Sequence, residues 1–241
     1  MVNQCQLLIG YHFAPSYLPE ENGEQWLLDR VGSAVEKFID VGANVGDWTR
    51  MVLHRSPAAL GVAVEPGTEA LARLKERLPT TIEIVPAAAG RLDGSVITFY
   101  EEPEAGGRSS SVRDWGTSAK RREVKVVTID ALMDDLGWER VNLLKIDTEG
   151  YDASVMFGSA NALKCQKIDL VQFEYNRPWR EAGNTLGGVI RFLDDAGYDV
   201  FVLRPHGLDR YDYTMFGEFF SYSNFVALSR TSPLRELLDV P

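Results

Sequence analysis

Charged side chains follow an apolar run in the stretch LLKIDTEGYD, which covers residues 143–152. Asp147 and Glu149 would lie on one face of a strand if the strand continued that far, although Gly150 is expected to bend the chain. Glu174 ends a second apolar run, IDLVQFEY. In open α/β sheets, ligands bind at the edge where the carboxyl ends of parallel strands meet. We therefore expect these acids to lie together at a ligand site.

Acids at such an edge can remove a proton from a bound hydroxyl, a role in which a positioned base contributes about 10²–10⁴-fold. The candidate bases are Asp147, Glu149, Glu174 and His206. The same acids could instead hold Mg²⁺, whose charge would acidify the hydroxyl. They could also cap the next helix and pair with basic residues, which is the simplest role for Asp152 at the helix start. The sequence leaves these alternatives open.

A glycine-containing turn, FIDVGANVGDW, predicts a second site after an earlier strand. Glycine lets the backbone approach a ligand closely, and the helix that follows points its N–H groups to the same place. The residues that we expect to bind a cofactor here are Asp40, Gly42, Asn44 and Gly46. Glu65 ends the next strand, where a carboxylate can accept hydrogen bonds from both hydroxyls of a ribose. The pattern therefore indicates a nucleoside-containing cofactor.

The same turn bears on which nucleoside is bound. A dinucleotide site has the pattern G-x-G-x-x-G, but Asn44 stands at the middle glycine and Gly46 comes one residue early. Asp40 would repel a pyrophosphate and attract a cation. S-adenosylmethionine (SAM) carries a sulfonium and an ammonium group and no phosphate. The turn therefore favours SAM over NAD.

Strand and helix patterns alternate along the chain, which is typical of a mostly parallel sheet with helices on both faces. The segments expected to be strands are Lys37–Gly42, Leu60–Pro66, Thr81–Ala89, Ser95–Tyr100, Glu123–Asp130, Val141–Asp147, Ile168–Tyr175, Tyr198–Leu203 and Phe219–Ser229. No helix separates the last two, so the last strand is expected to be antiparallel. Residues 1–241 are interpreted as one domain, with residues 1–30 as an N-terminal extension.

Two segments between these elements lack a clear periodicity. Residues 101–122 form a long Gly/Ser/Arg-rich stretch, and loops of this length in compact domains are usually functional or disordered. We expect it to be mobile and to close over a bound acceptor, through Arg108 or Ser109–Ser111. The aromatic-rich stretch 209–222 either packs in the core or stacks on a ligand, and the sequence does not separate these interpretations.

Composition excludes several classes of protein. The net charge of −10 argues against non-specific binding to nucleic acid, which needs a basic face. No apolar stretch approaches the roughly 20 residues of a membrane helix. The N-terminus has neither the basic region nor the cleavage site of a signal peptide, so a cytoplasmic location is expected. Cys5 and Cys165 are interpreted as reduced thiols.

The segments GEQWLL, FIDVGANVGDW, VAVEP, LLKIDTEGYD and VQFEYN occur in the order and spacing of the FkbM family of SAM-dependent methyltransferases, which the chain resembles over residues 23–228. The resemblance implies an α/β class I methyltransferase fold, a Rossmann-like three-layer sandwich whose seven-stranded, mostly parallel sheet has one antiparallel strand. It also implies O-methylation of a hydroxyl on a sugar, glycan or natural product. By the same resemblance, Ala87 and Ala88 line the adenine, although PAAAG lacks the polar residue often found there.

Two other classes of function compete with this interpretation. An NAD-linked oxidoreductase can use a similar sheet, and Asp40 together with the missing middle glycine argues against it. A non-catalytic SAM-binding domain is the second alternative, and the intact set of Asp147, Glu149 and Glu174 argues against that. The sequence does not identify the acceptor, the metal dependence or the oligomeric state.

Overall fold

The structure is a computed structural model that describes residues 16–102, 109–112 and 119–240. Its strands are β1 Lys37–Val41, β2 Leu60–Val64, β3 Ile82–Val85, β4 Ala88–Ala89, β5 Val96–Glu101, β6 Lys120–Val127, β7 Val141–Ile146, β8 Ile168–Tyr175, β9 Tyr198–Arg204, β10 Gly207–Arg210 and β11 Ser223–Ser229. Its helices are α1 Pro19–Asn22, α2 Glu24–Val31, α3 Asp47–Arg55, α4 Thr68–Arg77, α5 Ile129–Asp135, α6 Asp152–Phe157, α7 Ala160–Lys164, α8 Pro178–Glu181, α9 Leu186–Asp195, α10 Tyr213–Phe216 and α11 Leu234–Leu237.

A twisted, mostly parallel sheet forms the centre of the molecule. Within the described residues it has eight strands in the order β10-β9-β11-β8-β7-β1-β2-β3, and β11 runs antiparallel to both of its neighbours. This arrangement confirms the predicted α/β fold and the antiparallel last strand. The prediction of seven strands was short by one, because the four-residue strand β10 forms a hairpin with β9 in a stretch expected to be loop. Four residues are too few to show an alternating pattern.

Apolar side chains cover both faces of this sheet. Every residue of β8 is buried, as expected for a central strand with helices on both sides. Ile39 and Val41 belong to the core on one face, whereas Phe38 belongs to the core on the other. Gly42, Glu65 and Asp147 directly follow the carboxyl ends of β1, β2 and β7. β7 lies beside β1, and β1 lies beside β2, so the two predicted sites share this edge.

A small second sheet of order β4-β6-β5 lies next to the main sheet. The stretch 81–89 was predicted to be one strand, but it is broken at Pro86, which has no N–H to donate to a ladder. The residues before Pro86 form β3 in the main sheet, and Ala88–Ala89 form β4 in the small sheet. The predicted strand 123–130 is also shifted, since β6 begins at Lys120 and ends at Val127. Residues 102–119 lie between β5 and β6, and of these the structure describes 102, 109–112 and 119.

Side-chain contacts fix two features of the helices. Thr128 caps α5, because its hydroxyl accepts from the N–H of Ala131 at 3.1 Å. Asp130 accepts from the N–H groups of Asn161 and Ala162 at the start of α7. The segment after β7 forms two helices, α6 and α7. At Gly158, between them, an added β-carbon would overlap the carbonyl of Gly90.

Within the described ranges, no helix is both long and apolar enough to cross a membrane. The interpretation of the chain as one domain stays a prediction.

Candidate active site

The turn after β1 is shaped by residues with left-handed backbone. Gly42, Asn44 and Gly46 have φ of 77°, 47° and 84°, a region in which glycine and asparagine are favoured. The N–H of Gly42 donates to the carbonyl of Val64 at 2.9 Å, which fastens the turn to the end of β2. A β-carbon on Gly42 would overlap the carbonyl oxygen of Asp147. The turn is therefore packed directly against the end of β7.

Glu65 follows β2 and faces this turn. Its side chain is buried, and its two carboxylate oxygens accept from the N–H groups of Asn44 at 2.9 Å and Gly67 at 2.6 Å. Burial raises the pKa of Glu65 to about 7, although the two backbone hydrogen bonds oppose this shift. The carboxylate is held rigidly and can still accept hydrogen bonds from a ligand, since each oxygen has a second lone pair.

A cavity with an empty volume of about 730 Å³, including its open mouth, joins the two predicted sites. Its wall includes the predicted site residues Gly42, Asn44, Glu65, Ala88, Asp147 and Glu149. Ala87 and Ala89 lie beside Ala88 and form a small, apolar part of the wall. The cavity therefore has carboxylates at Glu65 and at the end of β7, with an apolar surface along the same wall.

Asp40 and Gly46 do not line the cavity. Asp40 is fully buried, where it accepts from the hydroxyl of Thr49 at 2.7 Å and lies 3.9 Å from the Nζ atom of Lys145. Burial raises the pKa of Asp40, against the effect of Lys145. Gly46 caps α3 and packs against Leu74. Both residues lie outside the cavity wall, and contact with a cofactor stays a prediction for each.

Lys145 connects this buried acid with the cavity wall. Its Nζ atom donates to Oδ2 of Asp147 at 3.0 Å, and only 7% of its side chain is exposed. Burial alone would lower the pKa of Lys145, but the carboxylates of Asp147 and Asp40 raise it above its usual range. Lys145 is therefore charged at neutral pH and fixes the orientation of Asp147.

Three of the candidate acids come together at the end of β7 and β8. Asp147, Glu149 and Glu174 each place a carboxylate oxygen within 4.8 Å of the others. Burial, followed by the charge of Asp147, raises the pKa of Glu149 to about 8 and that of Glu174 well above its usual value. Asp147 and Glu149 line the cavity, whereas Glu174 is buried behind them.

Glu149 reaches this group through a turn and not through strand geometry. β7 ends at Ile146, and Glu149 has φ of 53°, followed by Gly150 with φ of 103°. An added β-carbon at Gly150 would overlap the side chain of Pro178. Asp152 braces the turn by accepting from the hydroxyl of Thr148 at 3.0 Å and from the N–H of Gly150 at 3.2 Å. The helix cap expected of Asp152 is not formed, because α6 has no side-chain cap and Asp152 accepts from the turn instead.

His206 lies apart from the acids. It is exposed in the turn between β9 and β10, and one strand, β11, separates this hairpin from β8. It does not line the cavity. The prediction placed His206 at the ligand edge because β9 ends there, but its position across the sheet could not be read from the sequence. The structure therefore does not bring His206 together with the other candidate bases.

The described part of the long loop, residues 109–112, contacts the turn after β7. Ser110 pairs with Tyr100 across a β-bridge, and its hydroxyl donates to the carbonyl of Glu149 at 2.8 Å. Ser109 and Ser111 line the cavity. Arg108 lies outside the described residues, and closure of the loop over an acceptor stays a prediction.

The aromatic-rich stretch 209–222 serves mainly as core. Tyr211 and Phe219 are buried in the cluster that contains Phe225, with ring centroids 5.4 Å and 6.4 Å from it. Tyr222 is different, since its hydroxyl accepts from Asn22 at 3.1 Å and its ring lies 4.3 Å from that of Tyr17.

Several residues of the cavity wall were not among the predicted site residues. Phe99 and Glu101 come from β5, and Gly67, Thr148 and Tyr151 follow β2 and β7. Thr148 and Tyr151 lie within LLKIDTEGYD, which was a sufficient signal to include them. Glu101 gave no local signal. Its carboxylate accepts from the N–H of Thr68 at 2.6 Å and pairs with Arg122 at 2.8 Å, contacts that depend on the packing of the small sheet.

Known proteins similar to this chain are methyltransferases. A family model described as the methyltransferase FkbM domain matches residues 40–200. The solved structure of methyltransferase FkbM from Methylobacillus flagellatus KT is 16% identical with a TM-score of 0.50, and the alignment covers 80% of this chain and 43% of that one. This chain thus spans less than half the length of that protein, and the likeness shows the fold.

Two further solved structures have lower TM-scores. A TehB-like SAM-dependent methyltransferase from Corynebacterium glutamicum ATCC 13032 Kitasato is 12% identical with a TM-score of 0.47, covering 86% of this chain and 88% of that one. A SAM-dependent methyltransferase from Agrobacterium tumefaciens is 10% identical with a TM-score of 0.46, covering 88% and 62%. No curated protein matches the chain. Since the family model matches well over half of the sequence, this chain belongs to the FkbM family of methyltransferases.

Proposed function

We propose that this protein transfers the methyl group of SAM to a hydroxyl oxygen of a small molecule or glycan. One observation carries the proposal: a single cavity joins the buried carboxylate of Glu65 to the carboxylates of Asp147 and Glu149. The first suits the nucleoside of the donor, and the other two lie where an acceptor hydroxyl would lose its proton. Membership of a methyltransferase family supports the donor half of the proposal.

The residues of the cavity fit SAM. The carboxylate of Glu65 is fixed by two backbone N–H groups and can accept from both ribose hydroxyls. Ala87, Ala88 and Phe99 give an apolar surface suited to a purine. Asp147 brings negative charge to the same cavity, which favours a ligand with sulfonium and ammonium groups. When bound, SAM supplies a methyl group that is already activated.

The protein must then align the acceptor and receive its proton. An acceptor oxygen has to approach the methyl carbon in line with the bond that breaks, and alignment of this kind can supply much of the rate enhancement. Asp147 and Glu149 are the cavity acids at the end of β7, so we assign proton removal to this pair. Glu174, buried behind them, acts through their charge and position.

Residues other than Asp40 disfavour the NAD-linked alternative. Asp40 is buried away from the cavity, so it does not face a bound ligand. Asp147 does line the cavity, and its charge would repel a pyrophosphate. The end of β7 therefore supplies the negative charge that favours SAM.

The test has two steps. Purified protein is first titrated with SAM and with NAD in a calorimeter, and we expect a heat of binding for SAM alone. It is then incubated with methyl-labelled SAM and a panel of hydroxylated sugars, glycans and phenols, and products are analysed for a methyl-sized gain in mass. Binding of NAD but not SAM would refute the donor, and methylation at nitrogen or carbon only would refute the hydroxyl acceptor.

A further inference from the structure

A second cavity lies beside the one already described. It is a groove with an empty volume of about 720 Å³, including its open side. Its wall includes Arg91 after β4, Ser154 in α6 and Asn184 before α9. Ser111 and Tyr151 line both this groove and the first cavity, so the two share part of their walls.

The shared wall lies beside an acid to which we assign proton removal. Ser110 comes directly before Ser111, and its hydroxyl donates to the carbonyl of Glu149 at 2.8 Å. Tyr151 follows Glu149 by two residues along the same turn. A ligand in the groove can therefore extend one group past the shared wall toward Glu149. This is the position that an acceptor needs while SAM fills the first cavity.

Packing fixes the position of Arg91 at the wall of the groove. Its guanidinium lies over the ring of Phe157, 5.4 Å from the centroid, and that ring packs edge-on against Phe192 at 5.1 Å. The backbone before Arg91 is close-packed as well, because a β-carbon on Gly90 would lie only 2.9 Å from the ring of Tyr151. A guanidinium stacked on an aromatic face keeps the N–H groups at its edge available to a planar anion.

Arg91 also differs in charge from the rest of the two walls. It is the single basic residue among the described residues that line either cavity, and it forms no ion pair or hydrogen bond with the described part of the chain. The other charged residues of the walls are acids, namely Glu65, Glu101, Asp147, Glu149 and Glu181. A negatively charged group of a ligand therefore fits best at Arg91.

The uncharged polar groups of the groove suit a ligand with several hydroxyls. The hydroxyl of Ser154 and the amide of Asn184 each offer both a donor and an acceptor, and neither side chain is hydrogen-bonded to another described residue. A hydroxyl on a ligand also donates and accepts, so it can pair with either group. An apolar acceptor could use neither.

We propose that this groove binds the methyl acceptor, and that the acceptor is a hydroxylated ring that carries a carboxylate or a phosphate. The anion pairs with Arg91, while Ser154 and Asn184 bind hydroxyls of the ring. Carboxylate and phosphate both accept two parallel hydrogen bonds from a guanidinium, which is the chemistry they share. The assignment of the groove to the acceptor rests on the proposed function.

Binding to the groove can be measured with model rings that differ only in their charge. The protein is saturated with S-adenosylhomocysteine, the product left when SAM loses its methyl group, and is titrated with glucuronate, glucose 6-phosphate and uncharged glucose. Nuclear magnetic resonance follows the backbone amides of Arg91, Ser154 and Asn184. We expect at least one of the two anions to shift these resonances and to bind at least about 10-fold more tightly than glucose. The anion that binds more tightly identifies the charged group.

Variants of Arg91 test its part in this binding. Arg91→Gln should weaken the anions at least about 10-fold and leave glucose unchanged, as expected for the loss of a charge-assisted hydrogen bond. Arg91→Lys keeps the charge without the planar fork and should give an intermediate affinity. Arg73→Gln is the matched control, since Arg73 is an exposed arginine on α4 that lines neither cavity. Circular dichroism and SAM titration show that each variant is folded.

Three results would overturn the proposal. The first is a groove whose resonances respond to none of the three rings, or equally to glucose and the anions. The second is inorganic phosphate binding as tightly as glucose 6-phosphate, which would show an adventitious anion only. The third is methylation of neutral hydroxylated acceptors with a KM that Arg91→Gln does not change, which would leave the proposed function intact. Anions that bind in the groove, together with methylation at nitrogen or carbon alone, would refute the proposed function and retain the groove as the acceptor site.

Discussion

The carbonyl oxygen of Asp147 occupies the space that a β-carbon on Gly42 would need. The two residues belong to the two segments that carry the chemistry, the turn after β1 and the turn after β7. The N–H of Asp147 also donates to the carbonyl of Val41 at 2.9 Å. The cofactor turn and the acidic turn are thus joined through their backbones, so a change in one moves the other.

Substitution Gly42→Ala should therefore damage both fold and binding. Gly42 has φ of 77°, and the alanine would meet backbone that cannot turn away. We expect a loss of about 2–4 kcal/mol in the free energy of unfolding, from left-handed strain and overpacking together. Gly94→Ala is the matched control, since Gly94 has φ of 69° with no atom within 4 Å of the added carbon. Gly94→Ala should lower the free energy of unfolding by about 1 kcal/mol. Equal losses for Gly42→Ala and Gly94→Ala in urea denaturation would show that overpacking at Gly42 contributes nothing.

Substitution Glu65→Ala should weaken SAM without unfolding the protein. The carboxylate is buried beside Asn44 and Gly67, and its loss removes charge-assisted hydrogen bonds to the ribose. We expect the binding free energy to fall by about 1.5–3 kcal/mol in isothermal titration calorimetry. Glu83→Ala, on the neighbouring strand β3 and outside the cavity, serves as control. Unchanged affinity in a folded Glu65→Ala protein would remove Glu65 from the cofactor site.

The same carboxyl group should make stability depend on pH. Burial raises the pKa of Glu65 from 4.5 to about 7, so the folded state holds a proton that the unfolded state has released between these values. The stabilisation from the protonated Glu65 side chain is fully present below about pH 4.5 and is lost as the pH rises to about 7. The resulting decrease in the free energy of unfolding is up to about 3 kcal/mol. Glu65→Gln should flatten the curve of unfolding free energy against pH in this window. An unaltered slope would show that Glu65 keeps an ordinary pKa.

Replacement of Lys145 by methionine should be more harmful than the loss of an exposed ion pair. Lys145→Met leaves Asp40 fully buried without its cation, and breaking a buried pair by removing one partner costs about 3–5 kcal/mol. Asp40→Asn in the same chain removes the unpaired charge and should recover part of the loss. Chemical denaturation of the two single variants and the double variant measures this coupling. Additive losses would mean that the two side chains do not interact.

Substitution Asp147→Asn should affect turnover more than folding. The change keeps the size of the side chain, and Lys145 retains Asp40 as a partner. We expect a folded protein that binds SAM and turns over at least about 10²-fold more slowly, the low end for loss of a general base. Single-turnover kinetics with saturating SAM gives the comparison, with Asp209→Asn as the surface control. Near-normal turnover would exclude Asp147 from the chemistry.

The sequence by itself determined the limits of several helices and strands and the polar residues that follow them. Strand β8, from Ile168 to Tyr175, was predicted with its observed bounds, because its β-branched and aromatic residues are typical of a strand even though three polar residues interrupt them. Helix α3 is bounded by local residues too, since Gly46 precedes it and Pro57 follows it closely. The position of Glu65 after β2 likewise follows from local pattern. These features depend on neighbours in the chain, although local pattern did not predict every bound, since Pro86 divides one predicted strand into β3 and β4.

Only the tertiary structure decided which side chains meet. Glu149 reaches Asp147 and Glu174 through a left-handed turn that Asp152 braces, and strand alternation does not describe that path. Asp40, expected at the ligand, is turned toward Lys145, while Glu101 arrives from a separate sheet. His206 lies in the β9–β10 hairpin, which β11 separates from β8. These relationships join residues far apart in the chain, and they depend on the lateral order of the strands and on how closely the turns pack, neither of which a local pattern contains.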